Sequence, residues 1–144
     1  LAAELALTTP INHTALQAQL ETALREAVPG LAIVAEGSRR VSTITCALWP
    51  KASAERLVMK FDLKGVAVSS GSACSSGKVT ASHVLSAMGH APTQAQSALR
   101  FSTGWNTTDA DIVSLADVMR SFSWWLLSGM HWSCWYKVIL PYGT

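Results

Sequence analysis

Short β-branched segments alternate along this chain with stretches of helical periodicity, and that alternation narrows the fold to helices packed on a small sheet. From Pro10 to Val28, Leu16, Leu20, Leu24 and Ala27 recur at helical spacing, Glu21 and Arg25 stand four apart, and Pro29-Gly30 supplies a stop. The spacing predicts an amphipathic helix there. "LAIVAEG" (31–37) and "RRVSTITCALWP" (39–50) are short, β-branched and bounded by Gly or Pro, as strands are. Cys46, inside the second, reads as a small buried hydrophobe. Ser53 can cap a helix through "AERLVMKFDL", with Leu57, Val58, Phe61 and Leu63 on one face, and "KGVAV" (64–68) then predicts a buried strand. Ser82 can cap "HVLSAMG", with Gly89 as its stop, and a short helical piece in "TQAQSA" precedes the strand "ALRFS". Thr107 or Thr108 caps a further helix, whose first turn holds Asp109 and Asp111 where the helix dipole favours negative charge. The expected architecture is α/β, a small two-layer sandwich of a short mixed sheet with helices.

A chain of 144 residues with net charge +2 has room for one modest domain and a real core. Its charged residues are only 14% of the total, against about 25% in an average soluble protein, so part of the surface is expected to meet something else. No dense Lys/Arg cluster is present, and the pair Arg39-Arg40 reads as ordinary surface, which points away from nucleic acid. Cys46, Cys74 and Cys134 are an odd number, widely separated, with no secretory signal ahead of them. That argues against a disulfide framework and for a reducing compartment, with the cytoplasm as the default. The chain starts at Leu1 rather than Met, and a start truncated on the N-terminal side is the simpler reading.

Beyond Arg120 the composition changes: four of the six tryptophans and no acidic residue fall in the remaining segment. Two regions follow, a domain over 1–120 and an aberrant Trp-rich tail over 121–144, for which a shifted reading frame is favoured over a packed extension or membrane contact. As a membrane span the tail is poor, because Gly129, His131, Lys137 and several serines interrupt what should be about 20 apolar residues. His131 and Cys134 stand three apart without a second pair, so no metal site is expected.

The segment "VAVSSGSACSSGKV" (66–79) places Cys74 among serines and glycines. A phosphate-binding loop would need four residues between its glycines and a Ser or Thr after the lysine; here five separate Gly71 from Gly77, and Val79 follows Lys78. A cysteine-phosphatase loop would need an arginine six residues after the thiol, where Thr80 stands. For a cysteine protease, His83 is a possible base but begins a helix, and no matching signature surrounds Cys74. A Ser/Gly linker holding a cysteine by chance remains the bland alternative. Its weakness is position, since an apolar strand and a capped helix bracket the segment within one domain. A thiol there stays unhindered and, as thiolate, is a good nucleophile.

"GVAVSSGSACSSG", then "SHVLSAMG", then "ALRFSTGWNTTDADI" together resemble the C-terminal part of cysteine desulfurases, pyridoxal-phosphate enzymes of the class-V aminotransferase group that supply sulfur for iron–sulfur clusters. The resemblance runs from about Ala15 to Val118 and is densest from Lys64 to Ile112. It implies the small C-terminal domain of a fold-type I PLP enzyme. It implies further that the cofactor binds free L-cysteine, that the thiolate of Cys74 takes its sulfur as a persulfide, and that alanine leaves. Arg100 stands where the family's arginine holds the substrate carboxylate, a task suited to a planar fork that pairs two oxygens. Gly71 and Gly77 would be hinges that let Cys74 pass sulfur to an acceptor or scaffold protein, though simple turn chemistry explains them equally. The resemblance also implies full-length relatives that are homodimers. His83, His90 and Lys78 receive no catalytic role. The family's "RLPNT" segment appears here as "RRVST" (39–43), and the cofactor-binding domain, with its lysine, acidic partner and phosphate cradle, is absent from this chain. The chain alone is therefore not expected to turn over cysteine, and a stand-alone persulfide carrier or interaction module is the alternative.

Overall fold

The computed structural model describes residues 13–70 and 82–127. Helix α1 (His13–Ala27) forms where the periodicity predicts, burying Leu16, Leu20, Leu24 and Ala27 along one stripe. It ends before Gly30, whose φ of +80° is left-handed and open to glycine without strain. Strand β1 is only Ala32–Ile33, because Ala35 adopts a φ of +55° and the chain turns, Ser38 N–H donating to Ala35 O at 3.0 Å. Strand β2 (Ile44–Leu48) occupies the centre of the second predicted segment, with Thr45 and Ala47 buried on one face.

Helix α2 (Ala54–Asp62) places Leu57 and Phe61 in the core, whereas Leu63 is 84% exposed and leaves the predicted apolar face. Ser53 stands at the N-cap, but its hydroxyl makes no capping bond; the amide of Ala54 donates instead to Gln96 O at 3.1 Å. The strand expected at 64–68 forms only just beyond that segment, as β3 (Ser69–Ser70). The intervening chain closes the helix: Gly65 takes a φ of +75° and Val66 N–H bonds back to Phe61 O at 2.9 Å, which uses residues 63–66 as a C-terminal cap. Helix α3 (His83–Ala87) starts on Ser82, whose Oγ accepts from Leu85 N–H, and stops at Gly89. Helix α4 (Pro92–Ala95) and strand β4 (Ala98–Ser102) follow as expected. Helix α5 (Asp109–Leu127) is opened by Thr108 and Asp111, each accepting the other's amide. It runs unbroken past Arg120, and Phe122 packs on Phe61 with ring centroids 5.0 Å apart.

The sheet order is β1-β2-β4-β3, and all three pairings are antiparallel. The α/β sandwich stands, but the sheet is not mixed among the described residues, since strand direction depends on how the helices return the chain and not on the pattern of each strand. Leu99 and Phe101 of β4 turn into the main core with α1, α2 and α5, a cluster that closes on Trp49, Phe61 and Met119. The alternate residues face the other way. Ala98 and Leu48 lie there under Leu85 and Ala95, from α3 and α4, in a second small cluster. Among the described residues no helix is long and apolar enough to cross a membrane, and no group of three His, Cys, Asp or Glu is placed to hold a metal.

Candidate functional site

Arg100 sits in the middle of β4, exposed, on the face opposite the main core. Alternation puts it there: Leu99 and Phe101 are buried, so the residue between them must point to the other side. The sheet register brings two polar neighbours beside it. Cys46 of β2 lies directly across on one side and Ser69 of β3 on the other. The Nη2 of Arg100 donates to Ser69 Oγ at 3.4 Å. The rest of its guanidinium faces solvent, free to take a planar oxyanion in the two-point geometry that suits a carboxylate.

Cys46 is half-buried, packed against the second cluster as the sequence predicts. Burial pushes its thiol above the ordinary range, and the neighbouring Arg100 charge pulls it partly back. Cys46 is thus a weak nucleophile at neutral pH that senses the arginine.

The remaining residues read as functional from the sequence, Gly71, Cys74 and Gly77, lie outside the described residues, as does Lys78. Their flanks are described, and both reach the Arg100 face: Ser69 pairs with Arg100 itself, and Leu85 of α3 packs over Ala98, two residues along β4. His83 is exposed at the start of α3, and His90 is half-buried just past its end.

A buried charge cluster escaped the sequence reading. Glu21, 7% exposed, accepts from the two terminal guanidinium nitrogens of Arg40 at 2.6 and 3.3 Å and from Thr45 Oγ at 3.3 Å, with Arg25 at 3.7 Å. Arg25 also pairs with Glu36. Arg40 is therefore half-buried and ion-paired rather than ordinary surface, and the hydrogen bond it donates to Glu21 raises its already high pKa. The readable signal was Glu21 itself, a carboxylate three residues before Leu24 on the apolar side of a helix. A cavity of about 630 Å³ at the N-terminal end of α2, lined by Trp49, Lys51, Ser53, Glu55 and Gln96, does not include Arg100.

The described residues do not fit a pyridoxal-phosphate site. A lysine amine would have to reach the Arg100 face, but Lys60 and Lys64 belong to α2 and the turn after it, on the core side of the sheet, and Lys51 lines the separate cavity.

An antiparallel sheet with helices on both faces thus carries a solvent-facing arginine at the root of a cysteine-bearing segment. The profile of the family described as aminotransferase class-V matches residues 7–115, and the chain belongs to that family. Within it the similar proteins are named cysteine desulfurase: one from Cereibacter sphaeroides is 38% identical over 104 residues, 72% of this chain and 27% of its own length. Another, from Gluconacetobacter diazotrophicus, is 37% identical over 106 residues, 73% of this chain and 26% of its own. The chain thus spans about a quarter of the length of the curated relatives it matches. Among solved structures it is similar to a NifS-like protein from Rickettsia africae, with a TM-score of 0.67 and 29% identity over 77% of this chain and 28% of that one. A second NifS-like protein, 19% identical with a TM-score of 0.65 over 78% of this chain and 27% of that one, shares the fold.

Proposed function

We propose that this chain is the small-domain portion, residues 1–120, of a cysteine desulfurase, with residues 121–144 an aberrant tail, and that it carries the sulfur-accepting Cys74 and the carboxylate-binding Arg100. The observation that carries this reading is the pairing of Ser69 with Arg100. Cys74 stands four residues past Ser70, a reach of at most about 14 Å, so the thiol and an amino acid held by its carboxylate on Arg100 fall within one another's range. Arg100 fixes one end of L-cysteine; the thiolate of Cys74 attacks its sulfur. The carbon–sulfur bond breaks, a sulfur–sulfur bond forms on Cys74, and the β-carbon takes up a proton to leave alanine. The persulfide then passes to an acceptor or scaffold protein for iron–sulfur cluster assembly, with Gly71 and Gly77 as hinges of the segment. Pyridoxal phosphate belongs to a part of the protein outside these residues, in a homodimeric cytoplasmic enzyme.

The test is alanine release from L-cysteine by the protein in its full genomic length. Cys74→Ser is expected to abolish release, and Arg100→Gln to raise KM for cysteine far more than it lowers kcat. Undiminished release by the Cys74→Ser protein would overturn the reading.

A further inference from the structure

Strand β2 is supported unevenly. On the side away from β4, β1 pairs only with Ala47 and Leu48, and Val34 N–H reaches Cys46 O at 2.9 Å. At Ile44 and Thr45 no strand partner stands on that side among the described residues. Helix α1 takes its place there. Gln17 Nε2 donates to the carbonyls of Val41 and Ile44 at 3.2 and 3.3 Å, and Glu21 holds Thr45 Oγ and the two terminal nitrogens of Arg40. The next residue along is Cys46, paired with Arg100. The segment 39–43 ends at the same place, since Thr43 O accepts from Thr103 N–H at 2.9 Å.

We propose that Glu21 is a positioning residue for the Arg100 site: from the far layer of the sandwich it clamps Arg40 and Thr45, and so fixes β2, the strand whose Cys46 pairs with Arg100. The inference rests on the reading of Arg100 as a carboxylate holder. A bidentate carboxylate pair needs its arginine held to a fraction of an ångström, and the one hydrogen bond of Arg100 to Ser69 leaves that to the neighbouring strand. Glu21 suits the task because it is nearly buried and binds two parts of the chain that are separated from it by 19 and 24 residues. A leucine in its place could pack but could not hold Arg40.

The experiment uses the 144-residue chain and asks how Cys46 is alkylated by iodoacetate and by iodoacetamide, with peptide mass spectrometry locating the product. Iodoacetate carries the carboxylate that a well-placed Arg100 attracts; iodoacetamide does not. The ratio of the two rates at Cys46 therefore reads the site and cancels thiolate fraction. Arg100→Gln sets the floor of this ratio. Glu21→Gln is expected to lower it at least about twofold towards that floor, at a temperature where circular dichroism shows the fold intact. Leu24→Ala, which loosens α1 from the core and removes none of the Glu21 hydrogen bonds, is expected to lower the melting temperature and leave the ratio unchanged. Should Glu21→Gln not fold, Arg40→Lys keeps the charge but not the fork and carries the same expectation. A wild-type ratio in the folded Glu21→Gln or Arg40→Lys protein overturns the inference, as does an equal fall in Leu24→Ala. If Arg100→Gln itself leaves the ratio unchanged, it is the carboxylate-holding role of Arg100 that fails, and the inference with it.

Discussion

Replacing Arg100 by glutamine should alter the chemistry of a thiol on another strand, and the size of the change can be worked from the register. Directly paired residues of an antiparallel sheet have Cβ atoms about 5 Å apart, which brings the carboxylate of an iodoacetate approaching Cys46 to about 6 Å from the guanidinium. Two unit charges at about 6 Å attract by about 0.7 kcal/mol in bulk water and about 2.8 kcal/mol at an effective dielectric of about 20. Arg100 is exposed, so the value belongs near the lower end, about 0.7–1.4 kcal/mol, a three- to tenfold preference for the anionic reagent over its neutral counterpart. The assay is the pseudo-first-order rate with each reagent, resolved at the Cys46 peptide and normalised to the same ratio on a small thiol. Arg100→Gln should bring the normalised ratio to unity, and raised salt should bring wild type part of the way. A normalised ratio near unity in wild type at low salt would refute the placement of the Arg100 charge beside Cys46.

Three further outcomes follow from the same structure. Phe61 is fully buried and meets Trp49, Phe101 and Phe122 edge to face, so Phe61→Ala should cost about 3–5 kcal/mol in urea unfolding, enough to leave the domain marginal. The hydrogen bonds from Thr108 hold the Asp111 carboxyl below its usual range, so its contribution is present above the unfolded pKa and is lost as pH falls through the folded one. A thermal melting series from neutral pH to below about pH 4 should show that loss, and Thr108→Ala, which deletes the hydroxyl but keeps the backbone donor, should reduce it and lower the melting temperature at neutral pH. Gly89→Ala meets no steric obstacle, yet its φ of +88° is costly for any side chain, and a loss of about 1 kcal/mol is expected in the same unfolding assay.

Helix α1, strand β4 and the start of α5 were legible because each carries its own local instruction: a four-residue leucine repeat, an alternating five-residue run, and a Thr108–Asp111 cap. The strand before the serine segment was misplaced for a local reason too. Gly65 and Val66 read as strand by composition, but the end of α2 claims them for its cap before pairing can begin. Strand direction was not legible, since nothing within "ITCAL" or "ALRFS" states which way its neighbour runs. Arg100 was found from its flanking motif, and the alternation of β4 explains its exposure. Glu21 and Arg40 were not found as a pair, because 19 residues and a turn at Ala35 separate them and only the folded chain brings them together. The residues of the serine segment were read from motif alone and lie outside the described residues.

Sulfur-labelled L-cysteine given to the full-length protein, followed by peptide mapping without reductant, tests the account most directly. Label should appear on the peptide holding Cys74 and on neither the Cys46 nor the Cys134 peptide, and added thiol should release it. Label that bypasses Cys74, or that persists unchanged when Cys74 is replaced by serine, would contradict the assignment of that thiol as the sulfur acceptor.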